Sequence, residues 1–184
     1  RLISWLFDPL NSMQAYLGLR KLGAIASRYV VDYYGSDLGA QPQPGSTDRF
    51  QADWWLTSWR VDQRLRGSRG ALGLDQYFDG GTRILNPTSL TKNSLPEPSE
   101  TFIQPPGALG LIEIPPNFER IQRGDPTLAS AWREHVRTVF DTILGAGFVL
   151  TDFVREPYKG RQRSFYVCSH EGALRQIDHR FNQN

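Results

Sequence analysis

The sequence predicts an α/β protein of the α+β kind, a mixed and mainly antiparallel sheet with packed helices, and three observations carry that expectation. Residues 1–60 and 109–170 each read strand, helix, strand, strand. Along both segments, short runs alternate apolar or aromatic residues with polar ones, the period of a pleated strand with one buried face. The stretch GDPTLASAWREHVRTVFDTILGAG carries helix signals at both ends, Asp125 and Pro126 at its start and Gly145 and Gly147 at its stop.

Taken in order, Leu2 to Phe7 holds apolar and aromatic residues on both faces, as a strand covered on both sides does. Asp8-Pro9 ends it, because proline lacks the ladder donor and restrains the residue before it. Asn11 or Ser12 caps a helix expected from about Met13 to Leu22, with Ala15, Leu19 and Leu22 on one face and Tyr16 beside them. Arg20 and Lys21 fill its last turn, where cations suit the helix dipole, and Gly23 stops it. A second strand is expected from Ala24 to Tyr34, with Ile25, Tyr29, Val31 and Tyr33 alternating. Repeated Gly, Pro and Ser make GSDLGAQPQPGST a loop. From Arg49 to Leu56 a third strand sets Phe50, Ala52, Trp54 and Leu56 against Arg49, Gln51, Asp53 and Trp55.

Residues 61–108 mix short apolar pieces with many prolines and turn residues, and read as a long connection with one short strand near Thr82 to Leu85. LGLIEIPPNF is a strand ended by Pro115-Pro116. Leu128, Trp132, Val136 or Val139, and Ile143 form the buried stripe of the long helix. FVLTDFVRE and RSFYVCS pair across the turn PYKGRQ, and residues 171–184 form a tail that takes in His179 and, with it, His170.

At 184 residues and 39% hydrophobic, the chain is long enough to bury one substantial core or two small ones, which excludes disorder throughout. Its net charge of +2 is spread along the chain, so charge alone selects no polyanionic partner. Cys168 stands alone in a strand-like run, which excludes an intrachain disulfide and a multi-cysteine zinc site and fits a buried thiol in a cytoplasmic protein. No apolar run reaches the ~20 residues that span a bilayer. Because strand-type residues begin at Arg1, the sequence reads as part of a longer protein, with a sheet edge on the Leu2 to Phe7 side open to a missing segment or to a second chain, as in a homodimer.

The stretches WLFDPLNSMQAYLGLRKLGAIASRYVVDYYG and TDRFQADWWL, followed by IEIPPNF, DPTLASAWREHVRTVFDTILGAGFVLTDFVRE and SFYV, resemble a bacterial family of two-lobed GNAT-like acyltransferases. The resemblance covers roughly residues 1 to 60 and 110 to 168. It implies that residues 1–60 are the C-terminal half of a GNAT-like lobe and 109–170 a second β-α-β-β lobe. It further implies an acyl-CoA donor such as acetyl-CoA, an amine or amino-acid-like small molecule as acceptor, and no metal. The glycine-rich pyrophosphate loop that such enzymes place between strand and helix is not found here, since RGSRGALG follows no clear strand.

On the same resemblance, Asn11 and Ser12 would lie beside the pantetheine arm of CoA, while plain helix capping accounts for both as well. The tyrosine that protonates the departing thiolate in many GNAT enzymes falls at Leu19 when Leu22-Gly23 is aligned; Tyr16 is the nearest phenol, about one turn earlier. Asp8 is a candidate to act on the amine, against a turn-shaping role before Pro9. Arg28 and Tyr33 are candidates to bind the acceptor, because a guanidinium fork matches a carboxylate. Tyr29 and Tyr34 lie beside them, and core packing accounts for the alternating tyrosines equally. Arg49 and Asp53 read as a solvated pair. His135 and the other two histidines lack zinc-ligand spacing, with His135 expected on a helix surface.

The leading expectation is therefore an N-acyltransferase in which a neutral amine attacks the thioester directly. Its rival is a GNAT-derived binding or assembly module without turnover, favoured by Leu19 at the acid position. Nucleic-acid binding is a minor third reading, resting on Trp54, Trp55 and Trp59 near Arg60, Arg64 and Arg66.

Overall fold

A computed structural model describes residues 1–35, 47–67 and 70–170 of the chain. Most of the loop between the second and third strands and the whole tail from residue 171, His179 included, lie outside the described residues.

The elements run β1 (Leu2–Phe7), α1 (Ser12–Ala15), a π-helical continuation (Tyr16–Lys21), β2 (Ile25–Val30), β3 (Arg49–Trp55), α2 (Trp59–Leu65), α3 (Leu74–Asp79), β4 (Ser89–Leu90), β5 (Pro96–Glu97), β6 (Leu109–Ile114), α4 (Phe118–Gly124), α5 (Pro126–Gly145), β7 (Phe148–Tyr158) and β8 (Arg161–His170). A six-stranded sheet has the order β1-β3-β2-β7-β8-β6, every neighbouring pair antiparallel, while β4 and β5 pair apart from it. Ile84 adds a parallel bridge to Leu111, which makes the sheet mixed. The α+β class with a mainly antiparallel sheet is thus the observed one.

In both strand-helix-strand-strand segments the third strand lies between the first and the second, so the sheet order reads the same from either edge. The segments meet at their second strands through the pair Ala26 and Leu150, and each of these residues is followed by a bulge. Before each of those strands a glycine with positive φ, Gly23 at 76° and Gly147 at 83°, turns the chain out of its helix.

Antiparallel partners share a face, so Trp5, Ala52 and Ala26 face the core that Leu19, Val136, Phe140 and Ile143 fill from the helices. Phe50 lies at its centre, 4.7 Å from the Phe140 ring and 5.6 Å from that of Tyr166. All of Leu128, Trp132, Val136, Val139 and Ile143 are buried, so both valines join the expected stripe. A second cluster, Leu74 and Tyr77 against Leu111, Val154, Phe165 and Val167, lies under α3.

Several expectations are corrected. Two helices, α2 running into the connection and α3 within it, were not signalled by the sequence, because each is only about two turns long and buries one or two residues, Val61 in α2 and Leu74 and Tyr77 in α3. Between Thr82 and Leu85 the chain makes an isolated bridge rather than a strand. The first helix is mostly π-helical. β2 ends at Val30, and Val31 to Tyr34 form a turn with Asp32 at φ 47°, so Tyr33 is a turn residue. β1 lies at the sheet edge as expected but is not covered on both faces, since Leu2 is 44% and Ile3 45% exposed. His170 ends β8, paired with Phe148.

Candidate functional site

The face of β1, β2 and β3 turned away from the core carries Ser4, Leu6, Gln51, Asp53, Arg28 and Val30. It forms an open groove of about 550 Å³, lined by Ser4 to Leu6, Arg28 to Val31, Tyr33 and Gln51. Arg28 is exposed and makes no ion pair among the described residues. The structure therefore brings Arg28 and Tyr33 together, by different means: the strand supplies Arg28 and the following turn supplies Tyr33.

That turn is held from α5. Arg137 donates to both Asp48 oxygens, at 2.8 and 2.7 Å, and to Asp32 at 2.8 Å. Asp48 also accepts the Tyr29 hydroxyl at 2.7 Å and the Asp32 amide at 2.9 Å. Burial works to raise the Asp48 pKa, but these donors outweigh it and hold the carboxyl below its ordinary value. The Tyr29 phenol is pushed well up by burial and by the Asp48 carboxylate, so it stays a neutral donor. On the groove rim Tyr33 and Tyr34 meet edge to face at 4.9 Å, with the Arg49 guanidinium over the Tyr34 ring.

The remaining candidates lie apart from this groove. Asp8 gives its two oxygens to Arg133, at 2.6 and 2.7 Å, and accepts the Leu10 amide. Asn11 caps α1 by accepting the Gln14 amide, which leaves its own amide group exposed. Ser12 is buried and donates to the Pro116 carbonyl at 2.8 Å. Of the two residues expected beside CoA, Asn11 has a side-chain donor available to a ligand and Ser12 has its hydroxyl proton engaged. Tyr16 is half-buried under the Lys21 ammonium, 5.3 Å from the ring centroid, while Leu19 is fully buried.

Two of the three arginines considered for nucleic acid turn inward, and Arg66 stays exposed. Arg60 donates to the Gly23 and Thr151 carbonyls, and Arg64 joins Arg20 on Asp152, at 3.0 and 2.8 Å. Arg66 pairs with Asp62, and Trp54 donates to the Leu22 carbonyl. Trp55 alone of that group is a broadly exposed ring among the residues named.

His135 is half-buried rather than free on the helix surface: its Nε2 accepts from Asn86 at 2.9 Å, and burial lowers its pKa to about 4. Cys168 is buried, its thiol pushed up to about 12 by desolvation, which keeps it unreactive.

Sequence reasoning missed the isolation of Asp53. Rather than pairing with Arg49, it accepts Ser4 Oγ at 2.5 Å and Gln51 Nε2 at 3.1 Å, while Arg49 donates to the Asp48 carbonyl. Strand alternation put these residues on one face, but only the register of β1 against β3 sets Ser4 opposite Asp53. Among the described residues no helix is long and apolar enough to cross a membrane. No family model matches the chain, and no curated protein and no solved structure matches it either.

Proposed function

We propose that the chain carries the acceptor-binding part of a GNAT-like N-acyltransferase, working in the cytoplasm, that moves an acetyl or other acyl group from CoA to a small amine bearing a carboxylate. The observation that carries this reading is the groove beside the free edge of β1, where Arg28 has no anionic partner among the described residues and Tyr33 forms the rim. A carboxylate accepts both arms of a guanidinium fork, which makes it the chemistry that Arg28 fits. In the antiparallel ladder, Arg1 and Leu56 are a bonded pair, so Leu2, Ser4 and Leu6 turn their N–H and C=O groups to the free edge. Such N–H groups are the donors that a tetrahedral oxyanion needs. In the reaction the amine nitrogen bonds to the acyl carbon, the C–S bond breaks, and the departing thiolate takes up a proton; no covalent enzyme intermediate forms.

A second reading, a GNAT-derived binding module without turnover, is favoured by the Asp8 carboxylate being held by Arg133 and by the buried Leu19 at the acid position. One experiment separates the two. The protein is titrated with acetyl-CoA by calorimetry, and thiol release is followed with amino carboxylates present. Release that requires a carboxylate on the amine, and that falls at least tenfold in Arg28→Gln, supports acyl transfer. Carboxylate binding without acetyl-CoA binding or thiol release leaves the binding module. If no carboxylate binds, both readings fall.

A further inference from the structure

The open face of β1, β2 and β3 carries a second charge that no described residue neutralises. Asp53 makes no ion pair among the described residues, and both of its side-chain hydrogen bonds, from Ser4 and from Gln51, arrive at Oδ1. Its Oδ2 is left without a partner there. Two donors on one oxygen fix the carboxylate and leave the other oxygen to accept from outside. Gln51, which holds Asp53, also faces Arg28 across the β2–β3 ladder. Asp53 is two residues along β3 from Gln51, so strand geometry sets the Asp53 and Arg28 backbones roughly 8 Å apart on one face. The two charges do not meet each other: Arg28 lines the groove, Asp53 lies past its end on the same face, and Ile25 faces Asp53 across the β2–β3 ladder.

From this we infer that the open face takes a zwitterionic amino carboxylate, its carboxylate in the groove on Arg28, its ammonium at the groove end on Asp53 Oδ2, and a short apolar spacer beside Ile25. The inference rests on the acceptor-groove reading and sharpens it: Asp53 is the residue that holds the amine and selects for it. A monocarboxylate of the same length meets Arg28 but leaves Asp53 unpaired, and an alkylamine does the reverse. Discrimination therefore comes from an attractive contact at each end.

The test is an NMR titration of the protein with β-alanine, γ-aminobutyrate and δ-aminovalerate, each beside propionate, butyrate or valerate as its amine-free counterpart. At least one amino carboxylate is expected to bind tenfold tighter than its counterpart. In Asp53→Asn, where an amide oxygen still accepts from Ser4 and Gln51, that advantage is expected to vanish while the plain carboxylate keeps its affinity within about twofold. Arg28→Gln is expected to weaken both ligands. Equal binding of the two ligand types by the wild type, or an advantage that survives in Asp53→Asn, overturns the role of Asp53 and leaves the carboxylate groove standing. Absence of binding by every carboxylate overturns the groove and the inference together.

Discussion

Asp8 and Glu113 follow one rule, that a carboxylate taken out of water is matched by an arginine. Glu113 is held by Arg163 through two bonds, at 2.7 and 2.5 Å, with both side chains buried. Arg161 at 3.6 Å and the Thr88 amide at 3.2 Å are weaker partners that stay when Arg163 is removed, so the Glu113 charge is then only partly stranded and Arg163→Met is expected to cost about 3 kcal/mol of stability by urea denaturation, the low end for a broken buried pair. Adding Glu113→Gln should recover part of that loss, because the stranded charge is then gone. Asp8→Asn is likewise expected to lower stability, and Arg133→Met in the same chain to restore some of it. A purely catalytic Asp8 would instead leave the urea midpoint unmoved.

The half-buried His135 gives a pH signature. Folding holds the His135 pKa near 4, below the value of about 6.5 that the unfolded chain returns to. Between those values the unfolded state binds more protons, so stability is full above pH 6.5 and falls as the pH drops towards 4. His135→Gln should flatten that part of the stability profile. Asp48 acts lower: its depressed pKa lends stability above its ordinary carboxyl range, which is lost as the pH falls through the folded value.

Among the elements, the π-helical segment shows how packing overrides local preference. A hydrogen-bond step of five residues brings Lys21 over Tyr16, a pair that an α-helix would not align. Gly18 in this segment lies on the Trp5 indole, and a Cβ there would stand 2.9 Å from Trp5 Cζ2. Gly18→Ala is therefore expected to destabilise by roughly 1 to 3 kcal/mol and to shift the Trp5 fluorescence, since the ring has to move. The apolar spacing of Ala15 and Leu19 was legible in the sequence, but the change from α to π was not, because no local residue pattern in this segment marks it.

For the whole molecule, the two sheet edges differ. Along β6 the chain itself covers the edge: the Leu85 amide donates to the Leu111 carbonyl and the Leu111 amide to Arg83. Along β1 no described residue does so, and Leu2 and Ile3 stand exposed beside it. Antiparallel pairing of β1 with the same strand of a second copy, centred on Ser4, sets Leu2 against Leu6 and Ile3 against Trp5, like against like in polarity, and takes up the very N–H groups proposed for the oxyanion, so the paired form is expected to be inactive in acyl transfer. Sedimentation is expected to show association that rises with concentration and is reduced in a Leu2→Lys, Ile3→Lys variant. A wild type that stays monomeric at every concentration overturns that pairing.

By itself the sequence determined the class of fold and the long helix with its caps and stripe, because periodicity and boundary residues are local and survive without knowledge of partners. It also set Arg28, Gln51 and Asp53 on strands. The tertiary structure alone decided that the third strand of each segment enters between the other two, that Arg60, Arg64 and Asp8 are held by internal partners, and that Arg28 and Asp53 share an open face. Those outcomes depend on register and on contacts between residues far apart in the chain, such as Asp8 with Arg133, and no local pattern encodes which distant charge a side chain will meet.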